Sequence, residues 1–428
     1  MTDWPRVVNM LPSLRVIVLS NCLLSSANQS LGALNLTNMQ ELDVSYNFFN
    51  HPAASCWFWN LTSLTYLDLG FNHLLYGQLP NALGDMTLLH YLLLSDMKTS
   101  VRMIMARLNN LCNLRILYLD SCFTHGSVVD LIEMLPQCSL NKLQLLSLES
   151  NQLTGALPKL IEQLTNLVVL DLSENNITGP VLAYIRSMAG LVQLDLSSNK
   201  MEGPIPKFIG QFTSLRTLDL SNNHLNGSVP YEIGMLTHMI SLSLNNNYLD
   251  GVIDEGHFAN VRSLYYIDLS YNSFKIDLSS EWRPPLRLCM AHFASCQMGP
   301  LFPAWLEWQV DIIEIVISSA GIIDKFPHWF CSSLPNLLYL NMSDNQLYGD
   351  LPLHMGNMSL KEVYLSSNLL TGQVPPLPII LTNLDISKNS LSGPLPSNFG
   401  SPNLTDCPYS PIASLVAFLD LSSVNVRS

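Results

Sequence analysis

The chain contains few side chains whose types and spacing would suit catalysis. It has no HExxH, GxSxG, phosphate-binding P-loop or CxxC pair. Its histidines are scattered, and the one compact group of acids with a histidine is Asp254, Glu255 and His257, in a segment that we expect to be solvated. We therefore expect no enzymatic activity, and we predict neither a metal site nor a cofactor.

Aromatic side chains are better candidates for a different chemistry, the binding of a ligand. Tyrosine offers a large and rigid contact surface with a polar tip, and it is enriched in binding sites. One group of aromatic residues comprises Tyr46, Tyr66, Phe71, Tyr91 and Tyr118. A second group comprises Tyr265, Tyr266, Tyr271 and His292. We prefer the second group as the ligand-binding site, because an irregular stretch of sequence follows it and a non-repeating loop could shape a pocket there.

A sequence repeat of about 24 residues must position these side chains. The segments 143–158, 167–181, 191–206 and 215–230 align on the template LxxLxLxxNxLxGxIP. We number the repeat LxxLxxLxLxxN from its first leucine, so that the asparagine is position 12. Position 12 falls at Cys22, Asn47, Asn72, Met97, Cys122, Asn151, Asn175, Asn199, Asn223, Asn247, Asn272, Cys296, Ala320, Asn345, Asn368 and Asn389.

Each repeat is predicted to begin with a half-buried strand, because two leucines alternate with polar residues in xxLxLxx. Stacked repeats then form one parallel sheet with inward leucines and with positions 5, 6, 8, 10 and 11 exposed on a concave side. The LxGxIP segment adds a short second strand. The position-12 amide satisfies backbone groups of neighbouring repeats, and Cys22, Cys122 and Cys296 keep a small buried side chain there.

Aspartate recurs at position 8, as in Asp171, Asp195 and Asp219. On neighbouring parallel strands these carboxylates would lie roughly 5 Å apart, a ladder that could attract a cation or a basic peptide. Because the wording LDLS recurs through the repeats, we interpret these aspartates as structural.

The pattern predicts an α/β solenoid, a right-handed superhelix with a concave parallel sheet, short second strands and a 3-10 or irregular outer face. We place the solenoid at residues 1–400, with about sixteen repeats and no cap at its N-terminus. A degenerate tail follows at residues 401–428. The chain has no eighteen-residue apolar stretch and no signal-peptide pattern, so we expect neither a membrane span nor a secretion signal within it.

The charge balance argues against nucleic acid as a partner. Lys and Arg total 20 against 33 Asp and Glu, which gives a formal net charge of −13. This is the wrong sign for holding a phosphate backbone.

Two kinds of covalent modification are predicted. Asn-Xaa-Ser/Thr sequons occur at Asn28, Asn35, Asn60, Asn176, Asn226, Asn341, Asn357 and Asn403. Asn341 falls at position 8, so either it is not glycosylated or the ligand does not cross it. Cys112 and Cys138 lie at the same edge of consecutive repeats, about 5 Å apart, which suits a disulfide that clamps the longest repeat. Two buried free thiols are the alternative.

The LxGxIP segments, in LTGALP, MEGPIP, LNGSVP, LTGQVP and LSGPLP, resemble the plant-specific leucine-rich repeats of receptor-like kinases and receptor-like proteins. The stretches 281–312, 326–330 and 384–400 resemble the ectodomain of grass receptor-like proteins related to the tomato Cf disease-resistance proteins. This resemblance implies a full-length protein at the plasma membrane, on its extracellular side, with a signal peptide, a cysteine-containing cap and one membrane helix that this chain lacks.

The same resemblance implies a function in ligand recognition. A receptor-like protein of this kind would bind an extracellular peptide, protein or glycan in defence or development, and it would signal through a partner receptor kinase, because no kinase signature occurs here. One alternative is a secreted inhibitor of pathogen cell-wall enzymes, resembling polygalacturonase-inhibiting proteins. Another is a non-functional truncated copy.

Overall fold

The computed structural model describes residues 3–28, 33–96 and 108–394. The predicted tail at residues 401–428 and the sequon at Asn403 lie outside these ranges. The chain forms two compact units, Met1–His224 (unit 1) and Leu225–Ser428 (unit 2). Both are stacks of repeats, and each is described by itself.

The main sheet of unit 1 is parallel, and each strand holds positions 6, 7 and 8 of one repeat. Its middle residue is a buried leucine or isoleucine, and strands of consecutive repeats pair in register. Among the described residues, the nine strands are Val16–Val18, Glu41–Asp43, Tyr66–Asp68, Tyr91–Leu93, Ile116–Tyr118, Leu145–Ser147, Val169–Asp171, Gln193–Asp195 and Thr217–Asp219.

The main sheet of unit 2 has seven described strands that again hold positions 6, 7 and 8, and its buried middle residues include Ala291 and Val363. Each pairs in parallel with the strand of the next repeat. The strands are Ser241–Ser243, Tyr266–Asp268, Met290–His292, Glu314–Val316, Tyr339–Asn341, Glu362–Tyr364 and Asn383–Asp385.

The LxGxIP segments form the predicted second strands. In unit 1 they pair in parallel as Gly126–Ser127, Leu153–Ala156, Asn176–Gly179 and Lys200–Gly203. The strand His224–Ser228 begins at the last residue of unit 1. In unit 2 the second strands are Tyr248–Ile253, Ser273–Ile276, Tyr348–Asp350 and Leu369–Thr371. The predicted solenoid of parallel strands with short second strands is therefore confirmed.

Helical turns connect the second strand of a repeat to the main strand of the next repeat. Short α-helices lie at Trp4–Asn9, Val128–Glu133 and Phe330–Ser333. The 3-10 turns lie at Ala53–Ser55, Trp57–Asn60, Asn81–Asp85, Leu140–Lys142, Lys159–Gln163, Val181–Ser187, Lys207–Gln211, Tyr231–Met235, Glu255–Phe258, Ala304–Trp308 and Met355–Asn357.

Position 11 is the turn by which the chain leaves the main strand. The residue there has a positive φ, between 51° and 63°, at each of the sixteen places that precede a predicted position 12. This left-handed conformation strains a residue with a side chain, and asparagine and aspartate tolerate it best. The turn therefore recurs in every predicted repeat.

The asparagine at position 12 joins consecutive repeats by hydrogen bonds. The Nδ2 atom of Asn199 donates to the carbonyl oxygens of Leu172 and Leu196, at 2.8 and 3.2 Å. Its Oδ1 atom accepts a hydrogen bond from the backbone N–H of Ile177. The amide thus pairs backbone groups that no strand reaches.

Cysteine replaces this asparagine in three repeats. The Sγ atoms of the buried Cys122 and Cys296 donate to the carbonyl oxygens of Leu94 and Leu269, at 3.0 and 3.3 Å. The prediction of a small buried side chain holds for these two residues. It is wrong for Cys22, which is exposed and whose Sγ atom donates to the carbonyl oxygen of Ser20 in its own repeat.

Candidate ligand-binding face

The main strands present a regular surface, which we call the strand face and define as positions 5, 6, 8 and 11 of the repeats. The sequence also predicted an exposed position 10, and this is wrong for much of the chain. Ser45, Ser173 and Ser221 at position 10 are 3%, 6% and 6% exposed. Ser45, Ser173 and Ser221 also donate hydrogen bonds to the aspartate at position 8.

The position-8 aspartates are engaged in local hydrogen bonds. The Oδ1 atom of Asp195 accepts from the backbone N–H of Ser197 at 3.0 Å and from its hydroxyl at 2.7 Å. Asp43 and Asp171 accept the same pair of bonds from Ser45 and Ser173. These contacts explain why the sequence LDLS recurs, and they support a structural role for these aspartates.

Asn341 takes the place of aspartate in one repeat of unit 2. Its Oδ1 atom accepts from the backbone N–H and the hydroxyl of Ser343, at 3.1 and 2.8 Å. A neutral amide therefore preserves the geometry of position 8. A glycan on Asn341 would stand on the strand face, as the sequence predicts.

The second aromatic group lies together on two neighbouring strands of unit 2. Tyr266 pairs in register with Met290, so the side chains of Tyr266 and His292 are close, with ring centroids 5.6 Å apart in an edge-on contact. Tyr265 is 48% exposed and Tyr271 is 57% exposed. The strand face thus offers two exposed tyrosines beside a packed tyrosine–histidine pair.

His292 lies between two carboxylates on the adjacent strands. Its Nδ1 atom is 3.6 Å from Oδ2 of Asp268, and its Nε2 atom is 3.2 Å from Oε1 of Glu314. Nε2 is buried and has no hydrogen-bond partner, so its interaction with Glu314 is electrostatic. Desolvation by burial lowers the pKa of His292, but Asp268 and Glu314 outweigh it, and the net pKa is raised. Glu314 was missed in the sequence, although its position 6, next to a strand that carries His292, could have indicated it.

The first aromatic group lies in unit 1 and forms two pairs. Tyr66 and Tyr91 face each other across neighbouring strands, with centroids 5.8 Å apart. Tyr46 and Phe71, both at position 11, stack with centroids 4.4 Å apart and planes 12° apart. Tyr118 lies on the strand face with a pKa raised by burial and by nearby acids.

Two carboxylates, Asp43 and Asp68, lie next to this first aromatic group, and the sequence analysis did not predict this. Burial and the charge of Asp43 raise the pKa of Asp68 to about 6, against a hydrogen bond from the N–H of Gly70 that lowers it. Burial and the charge of Asp68 raise the pKa of Tyr66 to about 12. The two pairs of rings thus share their surface with partly desolvated acids.

The irregular stretch does shape a pocket, but away from the candidate tyrosines. A cavity of about 590 Å³ is lined by parts of residues 275–280 and 297–305, together with Asp324. In this segment the backbone N–H groups of Met298 and Gly299 both donate to the carbonyl oxygen of Ala320, in the following repeat. Gln297 forms one bridge with Lys275 of the strand Ser273–Ile276.

The group Asp254, Glu255 and His257 was predicted to be solvated, and this is wrong for His257, whereas Asp254 and Glu255 are half-buried. His257 is 3% exposed, and its ring accepts a hydrogen bond from the backbone N–H of Asp254 and donates one to the carbonyl oxygen of Val229. The side chain of Asp254 accepts from the N–H of Gly256. These bonds cap the turn Glu255–Phe258, so the group is structural.

The described sequons differ in exposure. Asn28, Asn35, Asn60, Asn226 and Asn357 are exposed, whereas Asn176 and Asn341 are half-buried. Their use as glycosylation sites stays a prediction.

Cys112 and Cys138 are joined by a disulfide, with Cα atoms 4.9 Å apart. The bridge connects the start of the longest repeat to the start of the next one. In the part of the chain that the structure describes, we find no group of three or more His, Cys, Asp or Glu side chains that could hold a metal ion. None of the helices among the described residues has the length and apolarity needed to cross a lipid bilayer.

A family model described as "Leucine-rich repeat region" matches residues 105–351 of the chain. A second model, "Leucine Rich Repeat", matches residues 63–86 and 381–402. The first match alone covers more than half of the chain.

Among curated proteins, the chain is similar to two from Solanum lycopersicum. It is 36% identical over 146 residues to Receptor-like protein EIX2, which covers 34% of this chain and 14% of that protein. It is 39% identical over 127 residues to Receptor-like protein EIX1, which covers 29% of this chain and 12% of that protein. The matched part is therefore a small fraction of each relative.

Among solved structures, the chain is similar to the Arabidopsis receptor kinase HAESA ectodomain in complex with an N-terminally extended IDA peptide hormone. The TM-score is 0.67 at 25% identity, over 92% of this chain and 73% of that chain. It is also similar to the PEPR1–AtPEP1 structure, with a TM-score of 0.67 at 26% identity, over 85% of this chain and 54% of that chain.

Proposed function

Because the chain belongs to the leucine-rich-repeat family and is similar to plant receptor-like proteins, we propose that it is the ligand-recognising part of such a protein. Its ligand is an extracellular peptide bound on the strand face. The site comprises Tyr265, Tyr266, Tyr271 and His292. The proposed function is binding alone, without a catalytic step.

One observation carries this choice of site. In unit 2, the exposed Tyr265 and Tyr271 lie at positions 5 and 11 of one repeat. Tyr266, at position 6 of the same repeat, packs against His292, at position 8 of the next. Exposed aromatic side chains bury a large area at a low cost in conformational entropy when a ligand covers them. The solved structure with the HAESA ectodomain contains a peptide hormone, which supports a peptide as the ligand class.

The wider setting follows from the same similarity. We propose that the full-length protein acts at the plasma membrane, with the strand face on the extracellular side, in defence or development. Because the relatives from tomato are receptor-like proteins, we propose that signalling passes through a partner receptor kinase.

The test is a screen of the 428-residue chain against a displayed library of random peptides, followed by affinity measurement with resynthesised binders. We expect Tyr265→Ala and Tyr266→Ala each to cost on the order of 2 kcal/mol of binding free energy, because each removes an aromatic anchor.

Two exposed tyrosines away from the strand face provide the matched control. Tyr231 lies in the turn Tyr231–Met235, and Tyr348 lies in a second strand. The double variant Tyr231→Ala/Tyr348→Ala should bind like the original chain. Equal losses in the two pairs of variants, or no loss in either, would remove this site assignment.

A further inference from the structure

The strand face of unit 1 has an unusual composition in its second, third and fourth repeats. Positions 5, 6, 8 and 11 of these three repeats carry four carboxylates and no lysine or arginine, whereas the first and fifth repeats carry Arg15 and Arg115 at position 5. The acids are Glu41, Asp43, Asp68 and Asp96. A face of this composition repels acidic ligands and attracts basic ones.

Two stacked rings stand at the rim of this face. Tyr46 and Phe71 are 52% and 38% exposed, and their backbones have φ values of 53° and 56°. The other repeats of unit 1 carry polar residues at position 11. An aromatic residue there is exposed to water and strained in its backbone, and it contributes little to the core. The fold therefore gives no reason for these two rings.

A second pair of rings lies on the strands themselves. Tyr66 and Tyr91 are at position 6 of neighbouring repeats, 5.8 Å apart, and the hydroxyl of Tyr66 is 3.5 Å from Oδ2 of Asp68. Asp68 and Asp43 are partners in the sheet register. Aromatic faces beside carboxylates are the surroundings that bind a cation best, through the ring quadrupole and through charge-assisted hydrogen bonds.

Asp43 keeps one carboxylate oxygen available for a ligand. Both bonds from Ser45 end on Oδ1 of Asp43, so the second oxygen retains its capacity to accept. Burial and the charge of Asp43 also raise the pKa of Asp68, and a bound cation would relieve this unfavourable ionisation.

Arginine fits these surroundings better than lysine or a metal ion. Its planar guanidinium stacks on aromatic rings and donates two parallel hydrogen bonds to a carboxylate, whereas an ammonium is a compact, strongly hydrated charge. The described carboxylates form no cluster with metal-ligand geometry.

We propose that Tyr46, Tyr66, Phe71 and Tyr91, together with Asp43 and Asp68, form a second subsite that binds arginine side chains of an extended peptide. This subsite, the N-terminal aromatic patch, rests on the proposed function, because it specifies the chemistry of the recognised peptide. It lies in unit 1 and is separate in sequence from the group around Tyr265.

The experiment uses the same displayed library of random peptides and the full 428-residue chain. Arginine should be enriched among the bound peptides. In resynthesised peptides, replacing arginine by citrulline, a neutral residue of nearly the same shape, should weaken binding by about tenfold or more. Replacing arginine by lysine should weaken it less.

Variants of the chain locate the subsite. Tyr66→Ala and Phe71→Ala should each weaken binding of the arginine peptides about tenfold, and Asp43→Asn/Asp68→Asn should do the same. Asparagine at position 8 keeps the hydrogen bonds of the fold, as Asn341 shows. The control Asp195→Asn/Asp219→Asn removes the same charge elsewhere in unit 1, and its affinity should change by less than about twofold.

Four results would overturn the subsite. Equal losses with both pairs of acid variants would mean non-specific attraction to an acidic surface. Bound peptides without arginine, or arginine peptides lost only with Tyr265→Ala/Tyr266→Ala, would exclude the patch and leave the proposed function standing. A library that yields no binder at all would contradict the proposed function, and the subsite with it.

Discussion

Single side chains at position 12 hold the repeats in register. Asn199 is 7% exposed, and its Nδ2 atom donates to three carbonyl oxygens, one of them in the preceding repeat. Its Oδ1 atom accepts from the N–H of Ile177, also in the preceding repeat. Removal of the amide would leave several buried backbone groups without partners.

We therefore expect Asn199→Ala to lower the free energy of unfolding by about 2 to 4 kcal/mol. Denaturant unfolding followed by circular dichroism would measure it. Lys200→Ala, at the exposed neighbouring residue, serves as the control and should change stability by less than about 0.5 kcal/mol. A loss below about 1 kcal/mol for Asn199→Ala would show that water replaces the amide.

His292 should make stability depend on pH. Asp268 and Glu314 hold its pKa above the ordinary value, against desolvation. A histidine with a raised folded-state pKa stabilises the fold below its unfolded-state pKa of about 6.5, and this contribution is lost as pH rises through the folded-state pKa. We expect the unfolding free energy to fall from about pH 6 to pH 8 more steeply in the original chain than in His292→Gln. Parallel curves for the two proteins would contradict this coupling.

At the scale of one element, the longest repeat departs most from the template. Between Cys122 and Asn151 its second strand is reduced to Gly126–Ser127, and the helix Val128–Glu133 follows, capped by the Ser127 hydroxyl, which accepts from the N–H of Val129. The disulfide Cys112–Cys138 spans 26 residues and closes this repeat against its neighbour.

Removal of the bridge by Cys112→Ser/Cys138→Ser should lower the unfolding free energy by roughly 3.5 kcal/mol, because the bridge restricts the unfolded chain. Thermal unfolding of secreted protein would measure the loss, with Cys22→Ser as a control at an exposed cysteine. Peptide mapping without reduction should recover the two cysteines as one linked pair. Free alkylation of both cysteines would contradict the prediction.

At the scale of the whole molecule, acids dominate, with a formal net charge of −13. Desolvation by burial, together with the neighbouring acids, raises the pKa of Asp68 and of Asp195 to about 6. Burial and nearby charges also raise the pKa of Asp120 and of Glu149. In these four groups the folded protein binds protons more readily than the unfolded chain does.

The chain should therefore be more stable at about pH 5 than at about pH 7, by no more than about 1 kcal/mol for each of Asp68 and Asp195 after solvent screening. Below about pH 4 the trend should reverse, because hydrogen bonds outweigh burial to lower the pKa of Asp254 and of Asp385, and stability from these groups is lost on protonation. Chemical unfolding across this range is the measurement, and Asp195→Asn should flatten the gain. A higher unfolding free energy at pH 7 than at pH 5 would contradict this prediction.

The sequence alone determined the periodic part of this protein. The spacing of leucines and asparagines places every main strand, and the residue before each position 12 is the one with a positive φ. The reason is physical, since a repeat buries its leucines only against its neighbours, so that the period and the stacking direction leave one arrangement. The candidate tyrosines follow from the same numbering, because their positions assign them to the strand face.

The tertiary structure decided what happens between positions and between strands. Side chains of adjacent repeats meet only through the register, which brings Glu314 to His292 and stacks Tyr46 on Phe71. The burial of position 10 differs even between repeats with the same hydrogen bonds to the aspartate two residues earlier, since Ser173 is buried and Ser197 is half-buried. His257, expected in solvent, is buried under a turn that its own ring caps. A linear repeat shows which residues share a position, but burial and pKa values depend on the neighbours that folding brings to each side chain.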